Sequence, residues 1–481
     1  MLDLRPAFPA LVVAGTAIAV LLLQGFTPRG ERGPWAGLSL LGLLGALAAA
    51  LVLAGVGGRG GGLGGSYVVD DFSLFLHVVL LLIAVLVVML SPSYLRATGA
   101  DRGEYYALVL FAVVGMLGLV SCRELVSLFV ALEIMSVALY ALAGWHRDRL
   151  ESQESALKYF ITGAFSSAFF LYGVALLYGL SGSTFLPRIA AALPGVDGPA
   201  AGLALLGTAF LLVGFGFKVA SVPFHMWAPD VYEGAPTTVT AFMAAGVKAA
   251  AFGAFLRVFL EALPALADRW RPAAAVLAIV TMVVGNLGAL AQLSLKRMLA
   301  FSSVAHAGYL LAALVAAPEV AGEAVLFYLV AYAAVNLGGF GALACLARSG
   351  REPLSLTDVA GLASRRPALA AALTVFLVSL TGVPVSAGFV GKFYLFRAAV
   401  TGGWVVLAVV GVLMSVVSAY YYLRVVVAMY MQDPVGEDPW SAVSPLGAAA
   451  LALSTAVVLG LGVHPAPVLE AARVAAAALV R

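Results

Sequence analysis

The chain has 481 residues, of which 63% are hydrophobic and only 11% charged, with mean hydropathy +1.05 and a formal net charge of +3. Soluble domains carry about 25% charged residues, so too few polar side chains exist to coat a water-facing surface of this size, and a set of soluble domains is excluded. The near-neutral charge gives no case for nucleic acid. The two cysteines, Cys122 and Cys345, exclude a disulfide framework and cannot by themselves supply the four thiolates of an iron–sulfur cluster.

Apolar runs long enough to cross a bilayer recur from end to end. In chain order they cover 9–26, 35–56, 72–91, 105–122, 125–145, 157–180, 201–222, 237–261, 273–293, 299–317, 322–346, 368–396, 404–430 and 445–463. Runs of this length satisfy their backbone in hydrocarbon only as helices. The expected fold is therefore an all-α polytopic membrane protein with about 14 transmembrane helices. The first run follows a leader with one Asp and one Arg and has no nearby cleavage pattern, so it reads as a retained span rather than a secretory signal. The glycine-rich stretch Gly55–Gly65 reads as a flexible loop, without the spacing of a phosphate cradle. Residues 465–481 read as a short interfacial helix with Arg473 and Arg481 among headgroups.

Loop charge gives an orientation. Loops on one side carry twelve Lys and Arg, including Arg29, Arg32, Arg348 and Arg351, whereas the side with both termini carries eight, including Arg481. The bias puts both termini on the periplasmic side.

Ionisable residues inside apolar runs are costly and mark candidate sites. Arginine occurs twenty-two times, mostly in loops, and lysine only five times, as Lys158, Lys218, Lys248, Lys296 and Lys392. A cation that must release its proton has to be lysine, because arginine stays protonated. Glu133 lies near the middle of its span, where a charge costs roughly 2.5–3.5 kcal/mol on insertion scales. Lys218 is followed by Pro223, too soon for an unbroken helix to continue. A break of this kind is tolerated where the backbone lines a wet cavity, so break and lysine argue for one polar pocket. His225, just past the break, could relay a proton or bond a loop carbonyl. Pro384 interrupts a second span, with Lys392 eight residues on. The lysine precedes one proline and follows the other, which fits an inverted internal repeat. Lys248 and His306 are well inside apolar runs. Lys158, one turn from its helix start, could serve the same path or reach the headgroups. Lys296, beside Arg297, reads as a solvated anchor. No role attaches to His77, His146 or His464, the histidines are too scattered for a metal site, and Tyr420, Tyr421 and Tyr422 read as an interfacial aromatic belt.

The segments VPFHMWAPDVYEGAPTTVTAFMAAGVKAA at 222–250, KRMLAFSSVAHAGYL at 296–310 and GVPVSAGFVGKFYLF at 382–396 resemble the antiporter-like membrane subunits of respiratory complex I over about 70–460. The run Pro229 to Pro236 and the lysine at 392 favour the N branch of that family. The resemblance implies two inverted five-helix repeats, spans four to eight and nine to thirteen. Its division of the chain is 1–104 for the leading helices, 105–261 and 262–431 for the repeats, and 432–481 for the last span and tail. It implies a Glu133–Lys218 charge pair, Lys248 as central relay, His306 as a bridge and Lys392 as the exit-side lysine of a proton path, with Lys158 and His225 secondary. Opposite charges 4 Å apart attract by about 4 kcal/mol at an effective dielectric near 20, so opening and closing that pair would change the proton affinity of Lys218 about a hundred- to a thousandfold. It also implies a bacterial inner-membrane location, other membrane subunits of the complex as partners, and no cofactor in this chain, with NADH, flavin, iron–sulfur clusters and quinone in partner subunits. Two other readings stand beside it. One is a cation/proton exchanger of a multisubunit antiporter; the other is a scaffold whose buried charges only fix helix register.

Overall fold

A computed structural model describes residues 3–27, 33–55, 57–347, 352, 355–435 and 442–479. Arg29, Arg32, Arg348, Arg351 and Arg481 of the orientation argument lie outside them. Among the described residues, thirteen helices are long and apolar enough to cross a membrane. The run 368–396 is divided between two shorter helices, so among the described residues helix forms the body of each of the fourteen apolar runs.

The chain opens with α1 (Phe8–Phe26) and α2 (Trp35–Gly55), then a short antiparallel hairpin of β1 (Gly60–Gly62) and β2 (Tyr67–Val69). The glycine-rich stretch expected as a flexible loop is thus partly strand. Its lack of side chains lets it lie close under the N-terminal segment, where a Cβ on Gly62 would stand 2.6 Å from the Asp3 carbonyl. Four helices follow, α3 (Asp71–Ala97), α4 (Gly103–Ser121), α5 (Leu125–Ala143) and α6 (Leu150–Ser181), then the short α7 (Leu186–Ala192) and α8 (Gly198–Lys218). Polar caps begin several of these. Asp70 and Ser73 form a reciprocal capping box at α3, and the Glu124 carboxylate accepts from the backbone N–H of Val126 and Ser127 at α5.

The first break follows α8. Ala220 takes a left-handed conformation at φ 59°, and helix resumes as α9 (Trp227–Gly234). The next span runs through α10 (Thr237–Phe242), a π turn at Met243–Val247, α11 (Lys248–Arg257) and a second π turn at Val258–Ala262. It is buried almost throughout and forms the centre of the molecule with α13 (Leu295–Leu314) and α14 (Pro318–Leu346). Between them α12 (Ala267–Leu290) packs on α13, with Gly285 against the Ala305 backbone and Gly308 against that of Met282. Small residues allow this approach where lipid supplies no hydrophobic drive.

After the short α15 (Leu362–Arg365), the second break divides α16 (Pro367–Thr381) from α17 (Ala387–Thr401). Gly382, at φ 91°, closes α16, and the Ser386 hydroxyl caps α17. The chain ends with α18 (Val405–Met431), α19 (Pro445–Val463) and α20 (Ala466–Ala477), the expected terminal helix. The peripheral helices turn large apolar side chains outward, among them Leu22, Leu41, Phe165 and Val416. Of these helices, α6 and α18 put serine and tyrosine on their inward faces, among them Tyr159, Ser166, Ser418 and Tyr421.

Candidate functional site

Five ionisable residues of the expected path, Glu133, Lys218, Lys248, His306 and Lys392, sit on five different helices. Lys218, Lys248, His306 and Lys392 are all buried. Glu133 is half-buried on α5.

Lys218 is the last residue of α8. Its ammonium donates to the Ser136 hydroxyl at 2.7 Å and stands 5.5–5.8 Å from the ring centres of Phe217, Tyr140 and Tyr159. Such a cage holds a cation by ring quadrupoles without a counter-ion. Glu133 is not in direct contact with Lys218: its carboxylate accepts from Ser167 at 2.5 Å. Glu133 and Ser136 are three residues apart on α5 and share a face, so the carboxylate and the serine that holds the ammonium belong to one side of that helix. The Tyr140 and Tyr159 hydroxyls beside this lysine have no partner among the described residues.

Lys248 follows directly on the first π turn, a feature frequent at functional sites. Its ammonium donates to the Ser303 carbonyl and faces the Tyr332 ring at 5.4 Å. The Tyr332 hydroxyl donates to Ser303 Oγ at 2.9 Å. His306, one turn further along α13, bonds the Tyr328 hydroxyl through Nδ1 and the Tyr422 hydroxyl through Nε2 at 3.2 Å. The Tyr309 ring stands edge-on to His306 at 5.2 Å, and the Lys392 ammonium lies 5.0 Å from the centre of the same ring. Lys392 donates to the carbonyls of Leu380 at 2.8 Å and Thr381 at 3.1 Å. These are last-turn carbonyls of α16, which have no intrahelical donor and form the negative end of its dipole. The second break thus makes the seat of Lys392.

Two of the three tyrosines expected in the interfacial belt are buried instead. Tyr421 and Tyr422 are fully buried and bond Asn286, Ser302 and His306, while Tyr420 is 65% exposed. Helical rotation of about 100° per residue sends adjacent tyrosines to different surroundings. Lys296 is likewise no solvated anchor. It is 2% exposed and donates to the Ala235 carbonyl at 2.8 Å and to Glu352 at 3.3 Å.

Glu352 is the centre of a buried hub at the face opposite the termini. Its oxygens also accept from Tyr94 at 2.6 Å, Arg149 at 3.1 Å and the Thr237 hydroxyl. Burial works to raise this carboxyl, but Lys296, Thr237, Tyr94 and Arg149 outweigh it and hold it down at about 2. His146, bonded to Tyr94 at 3.2 Å, is pushed down to about 4 by burial and by Arg149.

Lys158 is partly exposed and paired with both Asp230 and Glu154 at 2.6 Å. Asp230 also accepts from Arg297 at 2.6 Å, and Arg297 reaches Glu233 at 3.0 Å. The network ties α9 to α6 and α13, and the Trp227 indole of α9 donates to the Phe217 carbonyl beside Lys218 at 3.1 Å. His225 is half-buried in the first break, with Nδ1 unpartnered among the described residues. Among the described residues, no group of three His, Cys, Asp or Glu forms a potential metal site.

Residues 122–418 match the family model described as NADH:quinone oxidoreductase/Mrp antiporter, TM. NADH-quinone oxidoreductase subunit N of Trichlorobacter lovleyi is 43% identical over 472 residues, covering 98% of this chain and 96% of the relative. That of Rhodospirillum rubrum is 40% identical, covering 99% and 98%. A chain of respiratory complex I from Thermus thermophilus with bound Aureothin superposes with TM-score 0.82 at 39% identity, covering 96% of this chain and 98% of its own. A chain of the Mrp complex from Dietzia, at 24% identity, has the same fold with TM-score 0.86, covering 99% and 98%. On identity sustained over nearly the whole length, the chain belongs to the antiporter-like membrane subunits of respiratory complex I, in the subunit N family of NADH–quinone oxidoreductase.

Proposed function

We propose that this subunit moves protons through the buried row of Lys218, Lys248, His306 and Lys392, with Glu133 controlling the first lysine. The observation that carries the reading is the buried cluster around Lys248 and His306: Lys248 on the Ser303 carbonyl, the Tyr332 hydroxyl on Ser303 Oγ, His306 bonded to the Tyr328 and Tyr422 hydroxyls, and the Tyr309 ring beside both His306 and Lys392. Lys248, His306, Lys392 and the tyrosine and serine hydroxyls are each able to hold or pass a proton, and water would join those that do not bond directly. Arginine is missing from this row, as a path for exchangeable protons requires.

Glu133 accepts from Ser167 and Lys218 donates to Ser136, an open arrangement in which the two charges do not touch. Turning the carboxylate to the lysine would add an attraction of about 4 kcal/mol at 4 Å and an effective dielectric near 20. Lys218 loads its proton while paired and passes it on when the pair opens. The unpartnered Tyr140 and Tyr159 hydroxyls support hydration of this pocket, since buried hydroxyls are satisfied by water where protein offers no partner. The break at the end of α8 and the break between α16 and α17 occupy the fourth span of each five, which supports reading 105–261 and 262–431 as inverted halves. Lys158 and His225 flank the row as secondary members. Redox energy comes from partner subunits that hold NADH, flavin, clusters and quinone, and reaches this chain through neighbouring membrane subunits of a bacterial inner-membrane complex, its termini on the periplasmic side.

The test is the number of protons pumped per quinone reduced in membranes with assembled complex carrying Lys218→Ala, Lys248→Ala or Lys392→Ala. Each is expected to lower the ratio at undiminished assembly. Parent stoichiometry in all three would remove the path and favour buried charges that only set helix register.

A further inference from the structure

On the face that carries the termini, a second buried charge cluster stands apart from the lysine row. Arg257 ends α11, nine residues past Lys248, which is roughly 13–14 Å along the helix at 1.5 Å per residue. Its side chain is 1% exposed. Nη1 and Nη2 donate to the two Asp70 oxygens at 2.9 Å each, and Nε donates to the Val120 carbonyl at 3.2 Å. The Glu261 carboxylate is 3.6 Å away and is also paired with Arg123, while the Phe72 ring centre lies 4.9 Å from the guanidinium.

Asp70 reaches the floor of an open cavity of about 590 Å³, walled in part by Arg59, Arg123 and Arg188. On the inner side of Arg257, α11 is packed in apolar side chains, with Gly253 against Leu76 and Val120. Within that layer His77 is fully buried. Its Nε2 bonds Ser121 at 2.8 Å, and its Nδ1 has no partner among the described residues. A polar stepping stone therefore stands between the cavity and the helix of Lys248.

We propose that the bidentate Arg257–Asp70 pair is a seal that keeps protons in this cavity from reaching Lys248 through His77. The inference rests on Lys248 carrying a translocated proton. Arginine suits a seal for the reason lysine suits the row: it does not release its proton at accessible pH, and a fixed buried cation repels an arriving one. The fork geometry uses both carboxylate oxygens and both terminal nitrogens, which leaves little for a chain of water to join. Sealed on this face, a proton on Lys248 moves along the row toward His306 and Lys392 instead of escaping sideways.

The whole complex, reconstituted in liposomes without substrate, tests this through the decay of an imposed pH gradient read by an internal pH dye. Arg257→Gln with Asp70→Asn, a neutral pair of similar shape, is expected to collapse the gradient severalfold faster than the parent. Adding Lys248→Ala should restore the parent rate. Parent decay in the neutral pair overturns the seal, and so does a fast decay that persists without Lys248. Should the neutral pair not assemble, Arg257→Lys keeps the cation but makes its proton exchangeable; faster decay supports the seal and parent decay overturns it. Protons pumped per quinone in Lys248→Ala alone separate the two claims. Lost pumping there with parent-like decay in the Arg257 variants overturns the seal only, whereas normal pumping overturns the underlying path.

Discussion

Replacing Glu352 by glutamine removes one charge from a hub in which two cations and two hydroxyls converge. The carboxyl sits at about 2 in the folded chain against an ordinary 4.5. At about 1.4 kcal/mol per pH unit, that difference makes the ionised hub worth roughly 3 kcal/mol. The side chains of Glu352 and Lys296 are 4% and 3% exposed, so solvent screens this interaction little. Because the folded value is depressed, the contribution is fully present above pH 4.5 and is lost as pH falls toward 2. Glutamine also leaves Lys296 buried without its counter-charge, and breaking one side of a buried pair costs about 3–5 kcal/mol. The assay is heat-induced release of this chain from the purified complex, followed from neutral to acid pH. Glu352→Gln is expected to melt earlier at pH 7, with the gap to the parent closing below pH 4.5. Lys296→Met combined with Glu352→Gln should cost less than the sum of the two, since the pair is removed together. A gap that is absent at neutral pH, or one that does not change with acid, would refute the reasoning; strict additivity would show that the two side chains do not share their energy.

Asp230→Asn weakens contacts to Lys158 and Arg297, but all three side chains are substantially exposed, at 28%, 42% and 33%. Pairs of that kind are worth about 0–1 kcal/mol each, so the melting loss should be small, while pumping per quinone falls because α9 no longer holds the end of α8 firmly; an unchanged ratio would show that this network does not position Lys218. Gly388→Ala drives a Cβ into the Ser379 carbonyl across the second break. Overpacking of this kind costs about 1–3 kcal/mol, and native gels should show less assembled complex, whereas parent yield would mean that the α16–α17 junction is slack.

The helical spans were legible because fourteen apolar runs must each satisfy their backbone internally, and a periodic hydrocarbon-facing surface needs no tertiary information. Lys218, Lys248 and Lys392 stood out for the same reason: a charge in an apolar run is anomalous wherever the neighbours lie. The prolines at 223 and 384 announced the two breaks, since neither donates a backbone N–H. The tyrosines gave no comparable signal. Tyr309, Tyr328, Tyr332 and Tyr422 are as common at a lipid interface as in a core, and only packing distinguishes Tyr422 from Tyr420. Lys296 next to Arg297 looks like any pair of cations at a helix end until Glu352, 56 residues away, is brought against it.

Composition and periodicity alone therefore determined a helical membrane protein, the approximate limits of its spans and the residue types too costly to bury without a purpose. Which of those residues meet was decided by the tertiary structure: Lys218 on Ser136 rather than Glu133, Lys392 on the open carbonyls of α16, Arg257 locked to Asp70. The reason is that cost of burial is a property of one residue and its own run, whereas a hydrogen bond or ion pair depends on distances of about 3 Å between helices remote in sequence, and these are set only when the helices pack.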